Sequence, residues 1–131
     1  MKRISLIVLL FGLFAASTSH AQQIEFASTA IDYGEIERNA DGVREFNFTN
    51  SGDVPLLISS ARGSCGCTVP SFPREPIEPG ASNVIKVKYD TNRIGAFTKY
   101  VTLTTNALEN PTVRLTIRGV VKAAEPTAGG E

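Results

Sequence analysis

The chain has no tryptophan, one histidine, one methionine and only two cysteines among 131 residues. The histidine is His20 and the methionine is Met1, and both lie in a segment laid out like a secretory leader. Lys2 and Arg3 open it, Ile4 to Ala16 is almost wholly apolar, and Ser19-His20-Ala21 places small residues three and one before a cut. Cleavage after Ala21 removes 21 of the 131 residues and leaves 110, with no imidazole and no thioether. Serine, cysteine and metal-centred catalysis normally draws on histidine as base or ligand, so the expectation is a protein that is not an enzyme. The apolar run is shorter than the roughly 20 residues that span a bilayer, and no second such run occurs. No cysteine follows it to carry a lipid. The protein is therefore expected to be exported, periplasmic or extracellular, with no stable membrane anchor once the leader is cut.

An excess of positive charge is also missing. Thirteen Lys and Arg balance thirteen Asp and Glu, and loss of Lys2 and Arg3 leaves eleven against thirteen. Nucleic-acid binding needs basic side chains clustered on one face, so no nucleic acid is expected as partner.

What is present is alternation. Phe46 and Phe48 share one face of Arg44-Glu45-Phe46-Asn47-Phe48-Thr49; Ile85, Val87 and Tyr89 alternate with Lys86 and Lys88; Val113, Leu115 and Ile117 alternate with Arg114, Thr116 and Arg118. A period of two marks strands with one buried and one wet face. Pro55-Leu56-Leu57-Ile58 and Tyr100-Val101-Thr102-Leu103 read as further strands, and Ile24-Glu25-Phe26 and the stretch around Tyr33 and Ile36 as shorter ones. Asn50 to Asp53, Glu78 to Ala81, Asn92 to Gly95 and Asn106 to Pro111 are turns. Pro70, Pro73, Pro76 and Pro79 make the segment after the cysteines irregular or edge-like, since proline cannot donate to a ladder. No window free of breakers carries a helical pattern. The spacing predicts an all-β, immunoglobulin-like β-sandwich of about seven strands over residues 22–122, preceded by the leader (1–21) and followed by a tail (123–131) that is rich in Ala, Gly, Pro and Thr and expected to be disordered.

These residues resemble the bacterial exported domain-of-unknown-function family 1573. The resemblance rests on Asp32-Tyr33-Gly34-x-Ile36, Phe46-x-Phe48-x-Asn50-x-Gly52, Pro55-Leu56-x-Ile58 and Ser64-Cys65-Gly66-Cys67-Thr68. It continues with Pro79-Gly80, Ile85-x-Val87-x-Tyr89-Asp90, Gly95-x-Phe97, Thr105-Asn106 and Leu115-x-Ile117-x-Gly119. It spans about Ile24 to Val121. It implies a sandwich similar to Hydin-type and major-sperm-protein-type domains, and it implies no activity.

Cys65 and Cys67 are the candidate functional residues, and four readings stand for them. They close a local disulfide, exchange with other thiols, bind a soft metal, or pack as small hydrophobes under a loop. A bridge enclosing one residue removes little unfolded-state entropy and stabilises weakly. Gly66 is expected to let the backbone turn tightly enough for it. Exchange would be helped by Arg62, the nearest fixed positive charge, but no helix begins here to lower a thiol pKa. Copper or zinc are the candidate ions, although zinc wants four ligands and the mature chain has two sulfurs and no histidine. Otherwise no cofactor is expected. The sequence points to an exported, non-catalytic binding or assembly module with the Cys-Gly-Cys loop as its working element; the alternative is a small soft-metal (copper) or redox carrier using the same two cysteines. A protein partner is expected by edge-strand or loop contact around Arg62 to Pro73, with Arg62, Ser64, Gly66 and Thr68 on the partner-binding loop. Asp32, Glu35 and Glu37 read as solvated strand and turn charges rather than a catalytic pair. Lys86 and Lys88, with Lys99, Arg114 and Arg118, would form a mild anion-attracting surface if their strands were neighbours.

Overall fold

A computed structural model describes residues 23–124. The leader, and all but the first two residues of the tail, lie outside the described residues. Among the described residues there is no helix; eight strands form two four-stranded sheets, one more strand than the roughly seven expected. They are β1 (Ile24–Phe26), β2 (Ala30–Glu37), β3 (Val43–Asn50), β4 (Ile58–Gly63), β5 (Thr68–Ser71), β6 (Ser82–Tyr89), β7 (Gly95–Thr105) and β8 (Thr112–Lys122). One sheet has the order β1-β3-β6-β5 and the other β2-β8-β7-β4. All pairs are antiparallel except β2 with β8, which run parallel.

The alternating faces meet between the sheets. Phe46, Phe48, Ile85 and Val87 of the first sheet and Val101, Leu103, Leu115 and Ile117 of the second are buried in one core. Each large apolar side chain removed from water contributes about 1.5–3 kcal/mol before the cost of ordering the chain. Their polar neighbours Glu45, Asn47, Lys86, Lys88, Arg114 and Arg118 are exposed, as period two demands.

At one end, fully buried Asn50 ties two loops together, the β3–β4 and β5–β6 connections. Its Nδ2 donates to the carbonyls of Val54 and Ile77, each at 2.8 Å, and its Oδ1 accepts from Gly52 N–H. At the other end an aromatic group joins the sheets: Tyr89 stacks on Phe97 with centroids 3.8 Å apart, and Tyr33 meets Phe97 edge-on at 5.3 Å. Tyr33 O–H donates to the carbonyl of Gly42 at 2.7 Å, and burial pushes its pKa up to about 12.

Two expectations need correction. The strand read at Pro55–Ile58 begins only at Ile58, because Leu56 is bridged to Ile77 and Leu57 N–H is taken by Asn106 Oδ1. The basic surface is not assembled: Lys86 and Lys88 lie on β6 of one sheet, and Lys99, Arg114 and Arg118 on β7 and β8 of the other. Lys86 also faces Glu45 at 3.8 Å and Arg118 bonds Asp32 at 3.3 Å.

Among the described strands the chain changes sheet five times, and two of these crossings join edge strands of the two sheets, one along each side of the sandwich. Between β1 and β2 it crosses at Ala27–Thr29: Ala27 N–H donates to Asn47 in the first sheet, while Thr29 O accepts from Thr116 in the second. Between β4 and β5 it crosses back at residues 64–67, where the cysteines are.

Candidate functional site at the cysteine corner

The corner is built from two edge strands. Ser64 N–H donates to Tyr100 O at 2.8 Å, and Tyr100 N–H returns a bond to Ser64 Oγ at 3.1 Å, so the second sheet holds the chain until Ser64. Asp90 N–H donates to Cys67 O at 2.9 Å, so the first sheet takes hold at Cys67. Between these anchors the chain turns back on itself, with Thr68 N–H donating to Cys65 O at 3.2 Å. The sulfurs of Cys65 and Cys67 are adjacent, in disulfide contact, with Cα atoms 5.2 Å apart, inside the usual span for a bridge.

The two sulfurs have different surroundings. Cys67 is 7% exposed and belongs to the core, whereas Cys65 is only partly buried against it. Cys65 Sγ accepts the Cys67 backbone N–H at 3.3 Å. Thr68 Oγ1 stands 3.6 Å from both sulfurs. A disulfide carries no S–H, so the threonine hydroxyl is the donor and is shared between them.

The residues expected on the partner-facing loop divide. Arg62, Ser64 and Gly66 are exposed; Thr68 is 2% exposed and turned toward the sulfurs, so it offers a partner nothing. Arg62 shares its row of β4 with Ser60, and exposed Ser64 follows just beyond the strand, while Cys65 packs inward. Gly66 has no positive φ, and a Cβ there would meet nothing within 4 Å, so the turn does not require that glycine. The glycine it does require was missed. A Cβ on Gly63 would run into the carbonyl oxygen of Thr68, so β4 and β5 approach this closely only because residue 63 lacks a side chain. Val69, 58% exposed, is the other omission and supplies the apolar element of the corner.

β5 makes a poor template for an added strand. Continuing its ladder from the Cys67–Asp90 bond, Val69 and Ser71 point their backbone groups at β6, and Thr68 and Pro70 point outward. Thr68 N–H is already bonded to Cys65 O, and Pro70 has no N–H.

Metal and acid–base chemistry find less here. Among the described residues no three His, Cys, Asp or Glu side chains cluster as metal ligands, so an ion on the two sulfurs would need a ligand from another molecule. Asp32 and Glu35 line a shallow groove over Gly34 and Gly119, but they are paired to Arg118 and, at 3.0 Å, to Lys122.

Residues 24–121 match the family model described as "Protein of unknown function (DUF1573)". No curated protein sequence matches the chain. Among solved structures, it is similar to a protein of unknown function from Porphyromonas gingivalis W83, with 19% identity and a TM-score of 0.70 over 82% of this chain and 51% of that one. This chain thus spans about half the length of that protein. An ASH/PapD-like domain of human CEP192 aligns with 14% identity and a TM-score of 0.63 over 95% of this chain and 100% of that one. The chaperone–tip adhesion subunit pre-assembly complex CsuC–CsuE of Acinetobacter baumannii pili aligns with 12% identity and a TM-score of 0.55 over 76% of this chain and 57% of that one. At these identities the likeness is one of fold: a PapD-like, immunoglobulin-like sandwich.

Proposed function

The chain belongs to the DUF1573 family, and from that premise we infer that it is an exported, non-catalytic binding or assembly module whose partner is a protein. The partner docks by loop contact on the corner formed by Arg62, Ser64, Gly66 and Val69, over the Cys65–Cys67 pair. The observation that carries this reading is the contrast between the two crossings that join edge strands. The Ala27–Thr29 crossing needs no sulfur, so topology does not explain why the other one holds both cysteines of the chain. The corner offers an exposed valine on β5, an exposed arginine on β4 and, between them, a loop of the small residues Ser64 and Gly66, an apolar element with polar surroundings of the kind found in docking surfaces. The blunted β5 edge favours loop contact over strand addition here. Export and assembly work are supported by the leader-like start and by the fold shared with a pilus chaperone solved with its subunit. Within the immunoglobulin-like sandwiches, we place the domain with the Hydin-like and major-sperm-protein-like group.

Affinity capture from periplasmic extract tests the reading. Wild type is expected to retain a partner that Val69→Lys and the Cys65→Ser, Cys67→Ser double variant lose. Identical partner sets for all three proteins would remove the corner from the function.

A further inference from the structure

We propose that docking at this corner is covalent and directional: a protein thiol opens the bridge by attacking Cys65 Sγ, and Cys67 leaves as the thiolate. This rests on the reading of the corner as a partner surface and adds the chemical class of the partner, a protein presenting a cysteine.

The direction follows from the unequal surroundings of the two sulfurs. An incoming thiolate must reach one sulfur from the side opposite the other. Cys67 is sunk in the core, so that path is closed to a macromolecular thiol; Cys65 is partly exposed, next to the open space around Gly66. In the step, the thiolate electron pair forms a new S–S bond to Cys65, and the Cys65–Cys67 bond breaks with its pair going to Cys67 Sγ. One disulfide is lost and one gained, with no external oxidant. The Thr68 hydroxyl, already within 3.6 Å of Cys67 Sγ, turns its hydrogen wholly to the new anion. A thiolate in apolar surroundings is nevertheless a high-energy leaving group. It recloses onto Cys65 and expels the partner thiolate, so the native pair is a reversible latch rather than a permanent crosslink.

The same geometry fixes the reduced state. A lone thiolate at Cys65 has two donors, the Cys67 N–H at 3.3 Å and the Thr68 hydroxyl at 3.6 Å, and it is the sulfur that solvent reaches. Attack by reduced Cys65 on a partner disulfide therefore gives the same mixed disulfide, now with Cys67 as resolving thiol.

The test uses glutathione and the whole mature protein. Wild type is exposed to limiting reduced glutathione, quenched in acid and mapped by peptide mass; the glutathionyl group is expected on Cys65. Cys67→Ser, treated with oxidised glutathione, is expected to gain one glutathionyl group about tenfold faster than Cys65→Ser, reflecting access and thiolate character. Thr68→Val in the Cys67→Ser background is expected to slow the reaction and raise the pH at which it reaches half its maximal rate, and Thr68→Ser to restore both, a pattern a purely structural threonine would not give. Modification on Cys67 in the wild type, or equal rates for the two single variants, overturns the proposal. Those results leave the docking reading standing if Val69→Lys still loses its partner. A partner set unchanged by Val69→Lys, with glutathione still entering at Cys65, removes the docking reading and leaves only the sulfur chemistry.

Discussion

The two sides of the sandwich solve one problem with different chemistry. On one side three residues carry the chain between sheets, and Ser28 steadies them through its own neighbour, Oγ donating to Ala30 O at 2.8 Å and accepting Ala30 N–H at 3.3 Å. On the other side the four-residue crossing is steadied by a sulfur bridge and a threonine hydroxyl. The serine crossing can only form or fray. On the proposal above the cysteine crossing gains a third condition, open but still folded, since the bonds at Ser64–Tyr100 and Cys67–Asp90 are made by backbone and serine groups and not by the sulfurs. The difference lies in chemical state rather than in topology.

Four measurements break or sharpen that contrast. The largest effect is expected from Gly63→Ala, which forces a Cβ against the Thr68 carbonyl, a backbone group that cannot swing away. A loss of about 2–4 kcal/mol is expected in denaturant unfolding. A loss under 0.5 kcal/mol would mean that β4 and β5 part without cost and that the corner is not a fixed unit.

Next comes alkaline pH, which acts on β2, the strand that leaves the serine crossing. Tyr33 keeps its proton to about pH 12 when folded, against about 10 when unfolded, chiefly because burial disfavours the phenolate; Arg44, 4.1 Å over the ring, opposes this. A raised folded-state pKa contributes stability that is complete below pH 10 and is lost as pH climbs from 10 to 12. The fall expected is about 1–2 kcal/mol, reduced but not abolished in Tyr33→Phe because burial also raises the Tyr89 pKa; that variant in exchange loses about 1 kcal/mol at every pH with its bond to Gly42. Unfolding curves across that pH window, read for both proteins, decide it.

Opening the bridge is expected to cost less. Loop-closure entropy for so short a ring gives about 1.5 kcal/mol as an upper figure, so Cys65→Ser with Cys67→Ser should fold with a melting point only a few degrees lower. Amide exchange should quicken at Thr68 and stay unchanged at Asp90, Ala27 and Ala30. Global unfolding on reduction would show the sulfurs to be structural after all. The smallest effect is Ser28→Ala, about 0.5 kcal/mol for a pair of solvent-exposed bonds, measured in the same way.

The parts of this molecule that could be read from its sequence are those a single strand decides by itself. Phe46 with Phe48, Ile85 with Val87, and Leu115 with Ile117 announce their buried faces by alternation, and Glu78-Pro79-Gly80-Ala81 announces its turn: Gly80 has φ 78° and Ala81 N–H donates to Glu78 O. The parts that could not be read depend on partners far along the chain. Nothing local shows that Ile24–Phe26 and Ala30–Glu37 belong to different sheets, because β1 is claimed by β3 and β2 by β8. Leu56 looks like strand until Ile77 takes its backbone groups. At the site, the cysteines were visible by their rarity, yet Gly66 drew attention that belonged to Gly63. Gly63 matters through a contact with the Thr68 backbone that no pattern of side chains encodes. Thr68 looks like a surface threonine beside an apolar valine, and it is inward only because the chain has just changed sheets.

The parallel pairing of β2 with β8 sets a timetable. A ribosome or a translocation pore releases the chain from its beginning, and β2 is near the front while its only ladder neighbour is the last described strand. The first sheet, made of β1, β3, β5 and β6, can assemble early. The second is left with Ile31 and Tyr33 unhoused until Thr112–Lys122 has emerged. The nascent domain must therefore wait, half made, for the eleven residues of β8, and a ribosome stalled before them would leave an incomplete sheet with an unclaimed strand at its side.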